Sequence, residues 1–306
     1  MQSLFYSLLP LGVALISGYG TGMVLTNKWS LFAGRLITHL VWILLITIGY
    51  EFGIVFNNLS SAVDTLYTSF IFAVLTSIIP FGLISFIFRQ DRIKGSGTTR
   101  SLAMMLTPIK ECLIAIGMVV LGVFLFTLID YMELYFDPGQ LTEYLLYLLI
   151  FMVGIDIVSV DFNQAFRRKE IFLVPLLVIL GSIIGGILSS LVTKEELSTS
   201  LALSSGFGWF TLPGVMVSNK MGPVYGSIAL LIDLFRELLA IILLYILGSK
   251  HPKECIGVSG ATALDSTLPM IKQTCESRNL PLALISGFFL TLLAPFLITF
   301  FLEFQG

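Results

Sequence analysis

Apolar residues fall in long runs along this chain, and polar residues gather in short stretches between them. A helix needs about 20 mostly apolar residues to cross a hydrocarbon core ~30 Å thick. Runs of that kind occur at 4–25, 32–50, 66–88, 108–129, 141–158, 171–192, 223–248 and 280–302. The pattern predicts an all-α integral membrane protein with about eight transmembrane helices. No Lys or Arg precedes the first run and no small-residue cleavage pattern follows it, so it reads as an uncleaved span.

Two further stretches are apolar but too rich in Gly, Ser, Thr and Pro for a lipid-facing helix. Residues 197–221 hold Ser204-Ser205-Gly206-Phe207-Gly208-Trp209 and then Thr211-Leu212-Pro213. Residues 255–272 hold Ser259-Gly260-Ala261-Thr262 and then Asp265-Ser266-Thr267-Leu268-Pro269. Irregular backbone at membrane depth needs protein or a water-filled cavity to satisfy its polar groups. Both stretches are expected to be re-entrant segments that enter from opposite sides, with amphipathic surface loops as the alternative. Each carries Ser-Gly followed by Thr-Leu-Pro. A second echo links Gly49-Tyr50-Glu51 to Gly154-Ile155-Asp156 at an offset of 105 residues. Together the echoes predict inverted repeats with a substrate site at their interface.

The basic residues give the orientation. Lys28 and Arg35, the group from Arg89 to Lys110, Arg167-Arg168-Lys169 and the group from Lys250 to Arg278 all lie in alternate loops; only Lys194, Lys220 and Arg236 fall elsewhere. The positive-inside rule puts those loops in the cytoplasm and both termini outside. Residues 1–95 form a three-span part. Residues 96–107 are a cytoplasmic linker beside Gly95-Ser96-Gly97, and 108–306 hold five spans and both re-entrant segments.

Composition agrees and removes several classes. Of 306 residues, 56% are hydrophobic and 12% charged, against about 25% charged in soluble domains. A net charge of −2 with no basic stripe argues against nucleic acid as a partner. Cys112, Cys255, Cys275, His39 and His251 show no metal-ligand spacing, and there is no P-loop or dinucleotide fingerprint. No cofactor and no metal are expected. Gly257-Val258-Ser259-Gly260 matches the G-x-S-G of rhomboid-type proteases, but no histidine follows Ser259 to serve as its base. The chain is read as a transporter rather than an enzyme.

The chemistry lies where charge enters the apolar runs. Asp233, Arg236 and Glu237 fall near the middle of the 223–248 run. A charge at a helix centre costs ~2.5–3.5 kcal/mol on insertion scales, and such residues mark pathways. Their i, i+3, i+4 spacing puts all three on one helical face. Asp233 and Arg236 either bind substrate or pair with each other to lock helices. Glu237 is then the surplus acid, able to gain and lose a proton, as proton coupling requires. Asp265 lies in the second re-entrant stretch, where the alternative role is a helix N-cap. The Ser259-Gly260-Ala261-Thr262 turn and the Gly206-Phe207-Gly208-Trp209 turn are expected to offer free backbone N–H groups to an anionic carboxylate. Trp209 would be a lid or a packing aromatic. Glu51 and Asp156, at run ends, His39 and Lys110-Glu111 are weaker candidates.

Four ordered motifs then carry a resemblance. Ser205-Gly206-Phe207-Gly208-Trp209, Gly222-Pro223, Asp233-Leu234-Phe235-Arg236-Glu237 and Gly260-Ala261-Thr262-Ala263-Leu264-Asp265-Ser266-Thr267-Leu268-Pro269 resemble the bacterial lysine exporter family (LysO-type). The likeness covers 105–302 best; Asp156 is not carried over. It implies export of L-lysine and analogues such as thialysine across the bacterial cytoplasmic (inner) membrane. It also implies that the acids matching Glu237 and Asp265 are required. Ser205, Gly206, Gly208, Trp209, Ser259, Gly260, Thr262 and Thr267 are the candidate loop residues. The expected partners are lysine, protons and membrane lipid, with a homo-oligomer left open. A cation/proton antiporter or channel of the same architecture is the alternative.

Overall fold

The computed structural model describes residues 2–24, 27–56, 59–89, 103–132, 139–158, 169–264 and 266–304, and there is no strand among them. Each expected span is a helix: α1 (Gln2–Val24), α2 (Asn27–Phe56), α3 (Leu59–Ile87), α4 (Ala103–Tyr131), α5 (Gly139–Ile157) and α6 (Glu170–Thr193). After α6 come two short helices, α7 (Leu197–Leu203) and α8 (Thr211–Met221), then the long α9 (Pro223–Leu247). Two more short helices, α10 (Pro252–Ser259) and α11 (Leu268–Thr274), precede α12 (Leu280–Glu303). Val63–Ile87, Glu170–Thr193 and Leu280–Glu303 are long and apolar enough to cross a membrane. α9 has 25 residues, about 37 Å of helix, but holds three ionisable side chains in its middle turns.

Helices outrun the apolar runs because backbone hydrogen bonding does not stop where hydrophobicity does. α2 continues to Phe56, so Glu51 lies inside a helix rather than at its end. α4 begins at Ala103, within the segment expected to be a linker. The rest of that segment and Asp265 lie outside the described residues, as do the side chains of Glu51 and Asp156.

α1 packs on α5 and α2 on α4. Gly18 lies against Gly154 in the first pair, and Gly49 against Gly122 in the second. Exchanging α1–α3 for α4–α6 converts one contact into the other. Gly49 and Gly154, the residues of the 105-residue echo, each lie where two helices come close. α3 packs on α6, with Gly181 against Pro80 and Gly185 against Thr76.

The two Gly/Ser-rich stretches are broken helices, and the shared motifs make the breaks. In the first, Ser204 and Ser205 hydroxyls donate to the Leu201 carbonyl at 3.0 and 2.7 Å. Phe207 (φ +54) and Gly208 (φ +89) then turn the chain into the left-handed region. In the second, the break falls at Gly260, φ +61 and ψ −127, followed by a 3₁₀ turn over Gly260–Leu264. Thr-Leu-Pro restarts helix in both: Pro213 and Pro269 sit in the first turns of α8 and α11, where a missing N–H costs nothing.

Each broken segment begins and ends at the same end of the bundle. Tyr225, just after α8, donates its hydroxyl to Glu195, just before α7, at 2.9 Å. Lys220 pairs with Glu303 at that end. At the other end of α9, the Cys275 thiol beyond α11 donates to the Gly248 carbonyl at 3.4 Å. There Lys253 of α10 pairs with Glu170 of α6 at 2.9 Å. One continuous helix separates the two bases, which lie at its opposite ends. Tyr225→Phe should loosen the first base by about 1 kcal/mol, a shift of roughly 2 °C in thermal unfolding of the purified protein.

Candidate functional site

α9 starts at Pro223, whose fixed φ suits the first helical position, after Gly222 at φ +90. Its buried face runs through Gly226, Leu230, Asp233, Arg236, Glu237, Ala240 and Leu244. Gly226 and Gly214 let α9 and α8 approach closely. Asp233, Arg236 and Glu237 are each 1% exposed. The spacing that predicted a common face therefore delivers a common buried face.

The two breaks meet beside this face. The Ala261 N–H donates to the Phe207 carbonyl at 2.8 Å, joining the tips main chain to main chain. The Gly208 N–H donates to Asp233 Oδ1 at 2.6 Å, fixing the first tip to α9. Ser266 donates its hydroxyl to Glu237 Oε1 at 2.6 Å, fixing the second. Gly206 has no room for a side chain: a Cβ there would run into Asp233 Oδ2.

Arg236 points elsewhere. Its Nη1 donates to Ser182 Oγ on α6 at 3.1 Å, and its guanidinium lies 5.9 Å from the centre of the Phe207 ring. No ion pair within 4.0 Å joins it to Asp233 among the described residues. The two charges attract without direct contact: i, i+3 spacing allows a close pair, but Gly208 and Ser182 hold the two side chains. Arg236 Nε, Arg236 Nη2 and Asp233 Oδ2 are buried without a hydrogen-bond partner.

Other expectations are corrected. Several of the N–H groups expected to be free at the tips are engaged, because a sharp turn in a packed interior must satisfy its own donors. Gly260 N–H bonds back into α10, Ala261 N–H bonds Phe207, and Gly208 N–H already holds a carboxylate, that of Asp233. The hydroxyls of Ser205, Ser259, Thr262 and Thr267 all donate to carbonyls of their own segments. They build the tips. Trp209 is half-buried and shares an apolar cavity with Leu15, Ile150, Val153 and Pro295, the surroundings of a packing aromatic. Thr267 precedes α11 as its N-cap residue and makes no side-chain cap bond, while Asp265 lies outside the described residues. His39 is exposed beside Trp42. Ser182 and Ser266 were not among the candidate site residues. A polar side chain within the small-residue stretch Gly181–Gly186 of a span is the signal that marks Ser182.

These features invite comparison with known proteins. The family described as "Lysine exporter LysO" matches residues 116–302. The Escherichia coli K12 protein named "Lysine exporter LysO" is 30% identical over 306 positions, 97% of this chain and 99% of that protein. The chain belongs to the lysine exporter LysO family. The likeness to the E. coli LysO protein runs through the first three helices as well, further than the motifs alone reach. A Haemophilus influenzae protein named as a candidate lysine exporter is 36% identical over 169 residues, 55% of this chain and 87% of that protein. No solved structure matches this LysO-family chain.

Proposed function

We propose that this protein exports L-lysine, and analogues such as thialysine, across the bacterial cytoplasmic membrane in exchange for protons, by alternating access. The observation that carries the reading is the buried Asp233–Arg236–Glu237 face of α9, held between the tips of two broken helices. Charge in the middle of an apolar helix is costly to maintain and marks a pathway. The names of the relatives supply the cargo.

The broken segments act as re-entrant elements, one from each side of the membrane. Support comes from their bases at opposite ends of α9 and their touching tips. The matched Gly18–Gly154 and Gly49–Gly122 contacts support an inverted repeat of α1–α3 and α4–α6, the architecture that rocks around a fixed midplane site. Both termini lie outside.

Glu237 and Asp265 receive the cationic cargo from the cytoplasm and exchange it for protons from outside. Ser266, the neighbour of Asp265 in the chain, already bonds Glu237. Lysine and protons compete for the same carboxylates, and that competition couples the two fluxes.

The test uses proteoliposomes loaded with labelled lysine, other amino acids or Na⁺. With protein oriented as in the cell, acidifying the outside should accelerate lysine efflux, because protons run inward as lysine leaves. Reversing the gradient should slow it. Lysine flux indifferent to the gradient removes the coupling; Na⁺ flux without lysine flux removes the cargo.

A further inference from the structure

We propose that Arg236 takes the α-carboxylate of the cargo and so decides that an amino acid, rather than a bare diamine, is carried. The proposal rests on the lysine-export reading and names the partner of its least explained residue.

The guanidinium is 1% exposed, and Ser182 accepts only its Nη1. Nε and Nη2, which lie along one edge of the planar group, are buried with no hydrogen-bond partner. Leaving buried charged donors unmet is expensive. That edge is also the one that receives a carboxylate through two parallel charge-assisted bonds, a geometry an ammonium cannot copy.

Several other groups suited to an anion are spent. The Gly208 N–H is on Asp233, the Ala261 N–H on Phe207, and the Gly260 N–H on α10. Asp233 attracts Arg236 but does not fill the edge, because no ion pair within 4.0 Å joins the two among the described residues. Glu237, one residue along the same face, accepts from Ser266 on the second segment, whereas Arg236 faces Ser182 and Phe207. The site therefore has a cationic pole and an anionic pole, as an amino acid with a cationic side chain requires.

The rival account gives Arg236 only the task of balancing the charge of Asp233, with internal water on its free edge. Calorimetric titration of the purified full-length protein with lysine, lysinamide and pentane-1,5-diamine separates the two. The wild type should bind lysine about 100-fold or more tighter than either compound lacking the carboxylate. Arg236→Gln should erase that preference by weakening lysine alone, leaving the diamine unchanged. Equal binding of lysine and diamine by the wild type overturns the proposal while lysine export stands. So does an Asp233→Asn/Arg236→Gln double variant that regains the lysine preference. Wild-type protein that ignores lysine altogether defeats both readings. The wild-type comparison needs no variant to fold.

Discussion

Glu237→Gln is expected to reduce lysine export to that of vesicles without protein, with normal amounts of folded protein in the membrane. Gln keeps the shape of Glu and can still accept the Ser266 hydroxyl, so the contact between α9 and the second broken segment survives. What disappears is the charge that holds a cation and the site that exchanges a proton. Removing one partner of a buried charge contact costs about 2–5 kcal/mol, which is roughly 30-fold or more at 1.4 kcal/mol per tenfold. Asp265→Asn should behave alike. Export assays on vesicles matched for protein content check both, and near-normal flux from either variant would remove that acid from the proposed mechanism.

Gly260→Ala should be the most damaging change outside the charged face. Gly260 sits at φ +61 and ψ −127, a region almost closed to other residues. A Cβ there would also run into the Phe207 carbonyl, the acceptor that joins the tips. The strain alone costs about 1–3 kcal/mol, and the collision adds a similar amount. Export should be lost together with thermal stability. Gly222→Ala is the control: its φ is +90, yet nothing lies within 4 Å of the added carbon. It should lose only the strain and keep most export. Equal damage from both would mean that the tip contact is irrelevant.

Much of this was legible in the chain because membrane proteins declare themselves through contrast. The eight long runs became helices because about 20 apolar residues in a row leave few other options. Asp233, Arg236 and Glu237 shared a face because helical spacing is local. The breaks were visible because Gly and Pro act on their own backbone. Long-range partners were not legible. Nothing in the sequence says that Gly208 donates to Asp233, or that Ser182 draws Arg236 away from it. Those choices depend on which helices become neighbours, and α6 and α9 are separated by α7 and α8 in the chain. The engagement of the Ala261 and Gly208 N–H groups was hidden for the same reason: their acceptors lie on the opposite segment and on α9.

The joint between the two tips is made from a backbone N–H and a backbone carbonyl. Mutation cannot delete either atom, short of introducing proline at Ala261; it can only wedge the joint apart with bulk. At this one bond, substitution is therefore limited by volume far more than by chemistry. A side chain near this junction can change its chemistry without removing the bond that joins the two tips.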